Sequence, residues 1–303
     1  MNKNKSHTLY SKQLQINGHQ GPIYALAQDE QYIYSASSDK FVARWHKTTG
    51  QQDPFAIRCT QAPFSLLVLP DHNQLLIGLS DGSLHLIDTV QKVELKHLMV
   101  HRSAVFALAA NPCLDQRYSA DAEGNVLIWD AYWNLLLTLP LACGKIRQIA
   151  VAPDGSYFVV AGTDGYYRKI ETTFFNETQQ VYAHHEGCTA LCLLPNGGIL
   201  SAGKDAYIRR WSPAGEKLNA FPAHLGTIYQ LLQLPNGQYV SASRDKTLKI
   251  WSLETDEIGQ KLDLQMAGHR HSINALISLA DGFASAGDDK RIIAWHASNA
   301  KTP

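Results

Sequence analysis

The sequence predicts an all-β chain folded as a seven-bladed β-propeller of four-stranded antiparallel blades, and two observations carry that prediction. The first is a recurring segment. Residues 241–251 read Ser-Ala-Ser-Arg-Asp-Lys-Thr-Leu-Lys-Ile-Trp, and close copies stand at 35–45, 201–211 and 285–295, each with Asp four residues after the Ser and Trp six after the Asp. Degenerate copies at 77–87, 119–129 and 160–170 fill the gaps. The closing residues Trp45, Ile87, Trp129, Ile170, Trp211, Trp251 and Trp295 are then spaced by 42, 42, 41, 41, 40 and 44 positions. Such a period, repeated around the whole chain, is the self-similarity of propeller blades. The second observation is a His landmark on the same beat: His19, His101, His184, His224 and His269 each precede a Leu by seven positions.

Within each unit, short apolar runs alternate with turn residues at a spacing that suits strands and not helices. In the sixth unit, 228–234 is the inner strand, Pro235-Asn236-Gly237 the turn and 239–243 the second strand; Arg244-Asp245-Lys246 then turns into 247–251. Pro153-Asp154-Gly155, Pro195-Asn196-Gly197 and Asp281-Gly282 repeat this punctuation, pairing an Asx residue with a Gly that tolerates positive φ. The chain therefore divides into one ring over 1–303, with blades at about 19–58, 59–99, 100–140, 141–182, 183–222, 223–267 and 268–297. Blade seven lacks an outer strand of its own. Residues of about 9–16, which resemble the outer strand before Gly268-His269, are expected to supply it and close the ring, because an open sheet edge invites aggregation.

A chain of 303 residues can bury about three quarters of its unfolded surface. Charge is balanced, 27 basic against 27 acidic side chains, so no global field draws the protein to nucleic acid or to an anionic membrane. The polar start Met1-Asn2-Lys3-Asn4-Lys5-Ser6-His7 lacks the apolar run of a secretory signal, and no stretch approaches a membrane span. Five cysteines without CxxC spacing fit a reducing compartment, and the expectation is a cytoplasmic protein. Cys188 and Cys192 are read as inward-facing core thiols, too far apart along a strand to form a disulfide.

The combination of Gly-His, a Ser-x-x-x-Asp turn and a closing Trp resembles the WD-repeat β-propeller family, over roughly residues 9–297. That resemblance implies a hydrogen-bonded His, Ser, Asp and Trp tetrad in each complete repeat. Four repeats carry the set: His19, Ser35, Asp39 and Trp45; His184, Ser201, Asp205 and Trp211; His224, Ser241, Asp245 and Trp251; and His269, Ser285, Asp289 and Trp295. The chemistry is coherent, since a buried indole N–H needs an acceptor and a Ser hydroxyl can relay to a His and on to a carboxylate. In the third repeat, Glu123 is expected to stand in the Asp place beside His101, Ser119 and Trp129. Repeats two and four replace the polar members together (Thr60, Ile77, Ile87; Ala142, Val160, Ile170), which avoids orphaned partners, while Asp81 and Asp164 stay as turn residues.

No catalytic residue is assigned, because four copies of one constellation around a ring describe a scaffold better than an active site. Gly78-Leu79-Ser80-Asp81-Gly82 matches a nucleophile-elbow pattern, yet falls on a strand-to-strand turn where that motif requires a strand-to-helix one. His185 and His271, left over from the tetrads, lie two blades apart and make no metal site. No cofactor is expected.

In the family that the sequence resembles, a propeller without added domains acts chiefly as a platform for other proteins. Partners often dock on the face that carries the turn before the repeat Asp and the start of the inner strand. Carrying those positions over gives Tyr24 in blade one, Pro63 and Ser65 in blade two, Phe106 in blade three, and Lys145 with Arg147 in blade four. Lys204 follows in blade five and Arg244 with Tyr229 in blade six. Lys145, Arg147, Lys204 and Arg244 cluster over blades four to six beside Tyr229, with Tyr24 and Phe106 on the opposite arc. The expected partner is a protein presenting an acidic or phosphorylated segment to a monomeric platform. Nucleic acid on the same basic arc is the alternative reading, and a small-ligand or hydrolytic propeller is the less favoured one.

Overall fold

The computed structural model describes residues 8–298. The ends of the 1–303 ring reading, 1–7 and 299–303, lie outside the described residues. Among the described residues, twenty-eight strands form seven four-stranded antiparallel sheets. The inner strands, which surround the central channel, are Ile23–Gln28, Pro63–Leu69, Val105–Asn111, Ile146–Val151, Cys188–Leu193, Ile228–Leu234 and Ile273–Leu279. Six sheets are continuous in sequence. The seventh takes its outer strand, Leu9–Asn17, from the other end of the chain, paired antiparallel with Arg291–Ser298.

This closing strand is held by more than its ladder. Tyr10 and Ile16 are buried, and the Tyr10 ring packs 5.3 Å from that of Phe283. The side-chain amide of Gln260 accepts from the Tyr10 N–H at 2.7 Å and donates to the Tyr10 carbonyl at 2.8 Å, so the strand is also tied to blade six.

Strands buried on both faces read as near-continuous apolar runs, and the core here is divided accordingly. Seven apolar clusters each fill the space between two neighbouring blades, such as Val240, Leu248 and Ile250 against Ile273, Phe283 and Trp295 between blades six and seven. Polar side chains stitch the inner strands across the same gaps. The Gln148 amide donates to the Leu191 carbonyl and accepts from the Leu191 N–H, both at 2.8 Å, and Gln230 grips Leu276 in the same way. Ser65 Oγ donates to the Val105 carbonyl at 2.9 Å, and Asn274 Nδ2 to the Ile23 carbonyl at 2.9 Å. Channel walls joined in this manner form a rigid frame for whatever faces their upper ends.

The turn that ends the second strand carries a left-handed residue just after the turn Asp in six blades, and Gly124 after Glu123 in blade three. Blade two uses Gly82 at φ 92°, where a Cβ would stand 2.3 Å from the His101 carbonyl oxygen, so only Gly fits. Lys40, Ala206, Lys246 and Lys290 take the equivalent place with positive φ. The pattern Gly78 to Gly82 falls between the strands Gln74–Leu79 and Ser83–Asp88, a strand-to-strand turn. All five cysteines are free; Cys188 and Cys192 are buried and Cys113 is exposed. Among the described residues no helix is long and apolar enough to cross a membrane.

Candidate functional site

The tetrads set the upper turns. Trp45 Nε1 donates to Ser35 Oγ at 2.7 Å, Ser35 Oγ lies 2.7 Å from His19 Nε2, and His19 Nδ1 lies 2.9 Å from Asp39 Oδ2. Because Ser35 accepts from the indole, its own proton is free to go to Nε2, which leaves the imidazole proton on Nδ1 for Asp39. The same chain of contacts joins His184, Ser201, Asp205 and Trp211. It recurs in His224, Ser241, Asp245 and Trp251, and in His269, Ser285, Asp289 and Trp295.

Blade three also has a complete tetrad, and here the structure corrects the sequence reading. The partner of His101 is Asp121, at 2.9 Å from Nδ1, and not Glu123. Asp121 stands two residues after Ser119 instead of four, yet its Oδ1 still accepts from the Glu123 and Asn125 backbone N–H groups and so closes the same turn. A carboxylate one bond shorter, placed at the end of the strand, reaches both His and turn from a single buried position.

Blades two and four replace the tetrad with other polar networks. In blade four the buried Arg168 guanidinium pairs with Asp164 at 2.6 Å and Glu177 at 3.4 Å. In blade two Ser83 Oγ donates to Asp81 at 2.6 Å and lies 3.2 Å from His85 Nε2, whose Nδ1 lies 2.6 Å from Glu94. Ser83, His85 and Glu94 have the order of a hydrolytic relay. Ser83 is completely buried, however, and its proton is committed to Asp81, so the hydroxyl is a structural link and not a nucleophile.

The tetrads make stability pH-dependent. Burial raises the Asp205 carboxyl, but His184 and Arg209 outweigh it and hold it at about 2. Asp245 and Asp289 are likewise held below the usual carboxylate range against the upward push of burial, through His224 and His269. Burial lowers His184 and His224 in spite of their Asp partners. All these shifts have one sign. The unfolded chain binds protons at a higher pH than the folded one, so stability is present at neutral pH and is lost on acidification. Calorimetric melts should show Tm falling gently below about pH 6.5, where the unfolded imidazoles protonate, and steeply between about pH 4 and 2, where the carboxylates follow. A Tm that rises on acidification would contradict this.

Above the tetrads lies the channel mouth. In each blade the backbone N–H just before the Asp turn bonds the carbonyl just before the inner strand: Ser38 to Pro22, Ser80 to Ala62, Ala122 to Ala104, Thr163 to Lys145, Lys204 to Gly187, Arg244 to Thr227 and Asp288 to Ser272. This series fixes which residues are equivalent. The second residues of the inner strands are Tyr24, Phe64, Phe106, Arg147, Thr189, Tyr229 and Asn274; all but Thr189, which is buried with its hydroxyl on the Ile228 carbonyl, line the mouth. In blade two the sequence reading is therefore one residue out of register. Pro63 is the buried first residue of its strand, Ser65 is buried below, and the half-exposed Phe64 takes the place at the mouth.

Phe64 changes the layout of the site. Its ring stacks on that of Phe106 with centroids 4.8 Å apart and meets Tyr24 edge-on at 5.1 Å. Lys145 Nζ lies 4.2 Å from the Phe106 centroid, and Arg147 Cζ lies 5.7 Å from Phe106 and 5.1 Å from Tyr229. The aromatic and basic residues thus form one continuous rim, and the placement of Tyr24 and Phe106 on an opposite arc is corrected. Together they line a cavity of about 610 Å³, whose one lining carboxylate is Asp288, engaged by Asn274 at 2.8 Å. Lys204 and Arg244 stand exposed outside that lining.

The basic side chains are uncompensated. Among the described residues, Lys145, Arg147, Lys204 and Arg244 have no side-chain hydrogen bond and no ion pair. Burial lowers the Lys145 ammonium, and the nearby Arg147 and Lys204 charges push it the same way. Burial lowers the Arg147 guanidinium as well. His185 and His271 are exposed, and no group of three His, Cys, Asp or Glu side chains among the described residues is placed to hold a metal.

The family profile for the WD40 repeat, described as WD domain, G-beta repeat, matches residues 10–46, 176–212 and 215–252. Those spans hold three of the complete tetrads' Trp residues, and the seven-bladed ring carries the remainder. The three matched repeats and the seven-bladed ring support the WD-repeat β-propeller family. Among its relatives, this WD-repeat propeller is 23% identical to transcription factor unc-37 of Caenorhabditis elegans, over 64% of the chain and 32% of that protein. It is 24% identical to an uncharacterised WD repeat-containing protein of Schizosaccharomyces pombe, over 71% of the chain and 63% of that protein. With actin-interacting protein 1-2 of Arabidopsis thaliana the identity is 27%, over 49% of the chain and 25% of that protein. The WD-repeat propeller therefore spans less than two thirds of each of these relatives.

Proposed function

We propose that this WD-repeat propeller is a non-catalytic docking platform that takes an acidic or phosphorylated segment of a partner protein at the channel mouth, over blades four to six. One observation carries the reading: Arg147 lines the cavity half-buried, with ring faces beside it and no anionic partner among the described residues. A guanidinium held out of water without a counter-charge is poorly solvated, and an incoming carboxylate or phosphate would satisfy it through parallel N–H bonds. Relatives named a transcription factor and an actin-interacting protein agree with a role in assemblies. Five free cysteines suit a reducing compartment such as the cytoplasm.

Affinity capture should compare the wild type with two variants of matched thermal stability, Lys145→Gln with Arg147→Gln in the cavity and Lys204→Glu with Arg244→Glu on the rim. Loss of the same partner from both variants is expected, with the cavity pair the more severe. Recovery of identical proteins by all three would sink the reading. Nucleic acid as the ligand would instead show affinity falling steeply with salt for any base sequence.

A further inference from the structure

We infer that the channel mouth recognises a two-part anchor, a large aromatic or apolar side chain immediately beside an Asp or Glu, and not acidity alone. This rests on the docking reading above and adds what the docked segment must contain. The mouth has two walls that touch. Tyr24, Phe64 and Phe106 form the aromatic one on blades one to three; Lys145 and Arg147 form the cationic one on blade four. With Lys145 Nζ 4.2 Å from the Phe106 ring, no gap separates the two chemistries. A ligand group seated on the rings is already within reach of the cations, so the apolar and acidic groups must be neighbours in the ligand.

The aromatic wall is not required by the fold. Equivalent positions in blades five and seven carry Thr189 and Asn274, so the backbone there accepts small polar residues. Phe64 and Phe106 stack on one another half-exposed at the mouth of the channel, where core packing makes no demand for them. Rings kept in such a place offer contact area to a ligand at low entropic cost, since each has two rotatable bonds.

Each simpler ligand leaves something unsatisfied. A polyanion would neutralise Lys145 and Arg147 but leave the rings wet. An apolar plug would cover the rings and bury the two cations further without a counter-charge, which is unfavourable. A cationic side chain meets ring faces already engaged by Lys145 and Arg147 and is repelled by both. Asp288, across the mouth on blade seven, repels the acidic group from that side and orients it toward blade four. The cavity, about 610 Å³, holds two adjacent side chains and not a folded domain.

The test is selection of a random linear peptide library on the full-length protein, followed by binding measurements on the enriched peptides by fluorescence anisotropy. An enriched motif with an aromatic or large aliphatic residue next to Asp or Glu is expected. Phe64→Asn and Arg147→Thr copy residues that the fold accepts at the same position in other blades, so both should melt like the wild type. Each is expected to weaken the selected peptides by about tenfold to a hundredfold, the range of interface anchor residues. Arg147→Thr should also flatten the salt dependence, which Phe64→Asn should leave alone. Enrichment of acidic peptides without an apolar neighbour, unaffected by Phe64→Asn, would overturn the two-part anchor and leave the docking reading standing. Apolar peptides lacking an acid would overturn it from the other side, and no enrichment at all would count against both.

Discussion

A chain lacking residues 1–17 is expected to lose cooperative folding. The strand Leu9–Asn17 covers Arg291–Ser298 along its length and buries Tyr10 and Ile16. Each buried side chain contributes about 1.5–3 kcal/mol, and each net backbone hydrogen bond about 1 kcal/mol. The sum reaches the size of a domain's entire stability, about 5–15 kcal/mol. Truncation also uncovers the Ile292, Ile293 and Trp295 strand as an unpaired edge, so aggregation should accompany unfolding. Near-ultraviolet circular dichroism and a thermal melt would check this, and a peptide spanning residues 9–17, added in excess, should restore part of the transition. A truncated chain melting within a few degrees of the full chain would mean that the ring closes without its clasp.

Ser241→Ala is the second large effect. The hydroxyl accepts from Trp251 Nε1 at 2.9 Å and lies 2.7 Å from His224 Nε2, and both contacts are buried. Alanine leaves an indole N–H and an imidazole nitrogen buried without partners, each costing about 1–3 kcal/mol. A loss of about 2–6 kcal/mol follows. Blade two shows the way out, since Ile77 and Ile87 replace Ser and Trp together and leave nothing to satisfy. In a double-mutant cycle, Trp251→Phe should therefore cost less on the Ser241→Ala background than alone, because the orphaned N–H is already present there. Simple additivity in denaturant unfolding would show that the tetrad is not a coupled unit.

What could be read from the sequence divides along the same physical line. Repeats kept by packing and by the tetrad were legible, down to the closing strand, because the packing constraint recurs in seven blades and the tetrad in five, which averages out local noise. Two single-copy departures were not. Asp121 was hidden by Glu123, which occupies the expected spacing while a carboxylate two residues earlier performs the task from the strand end. Phe64 was hidden by Pro63, which stands where the other inner strands start with Ile, Val or Cys and shifts the apparent register by one. The pairing of Pro63 with Leu79, matching Ile23 with Ser37 in blade one, is what restores it. The convergence of Lys145, Arg147 and Lys204 followed from repeat register alone, whereas their contact with an aromatic wall depended on Phe64.

The most direct measurement places a photo-reactive benzophenone side chain at position 64, inside the channel mouth, and another at position 132, on a distant turn, and maps the adducts formed in cells by mass spectrometry. The account predicts a discrete adduct from position 64 on a partner segment containing Asp or Glu, lost when Arg147→Glu is added and absent from position 132. Adducts that form at position 132 alone would place partner docking elsewhere on the ring, and adducts that persist at position 64 with Arg147→Glu would show docking that does not use the Arg147 charge; either result contradicts the central claim.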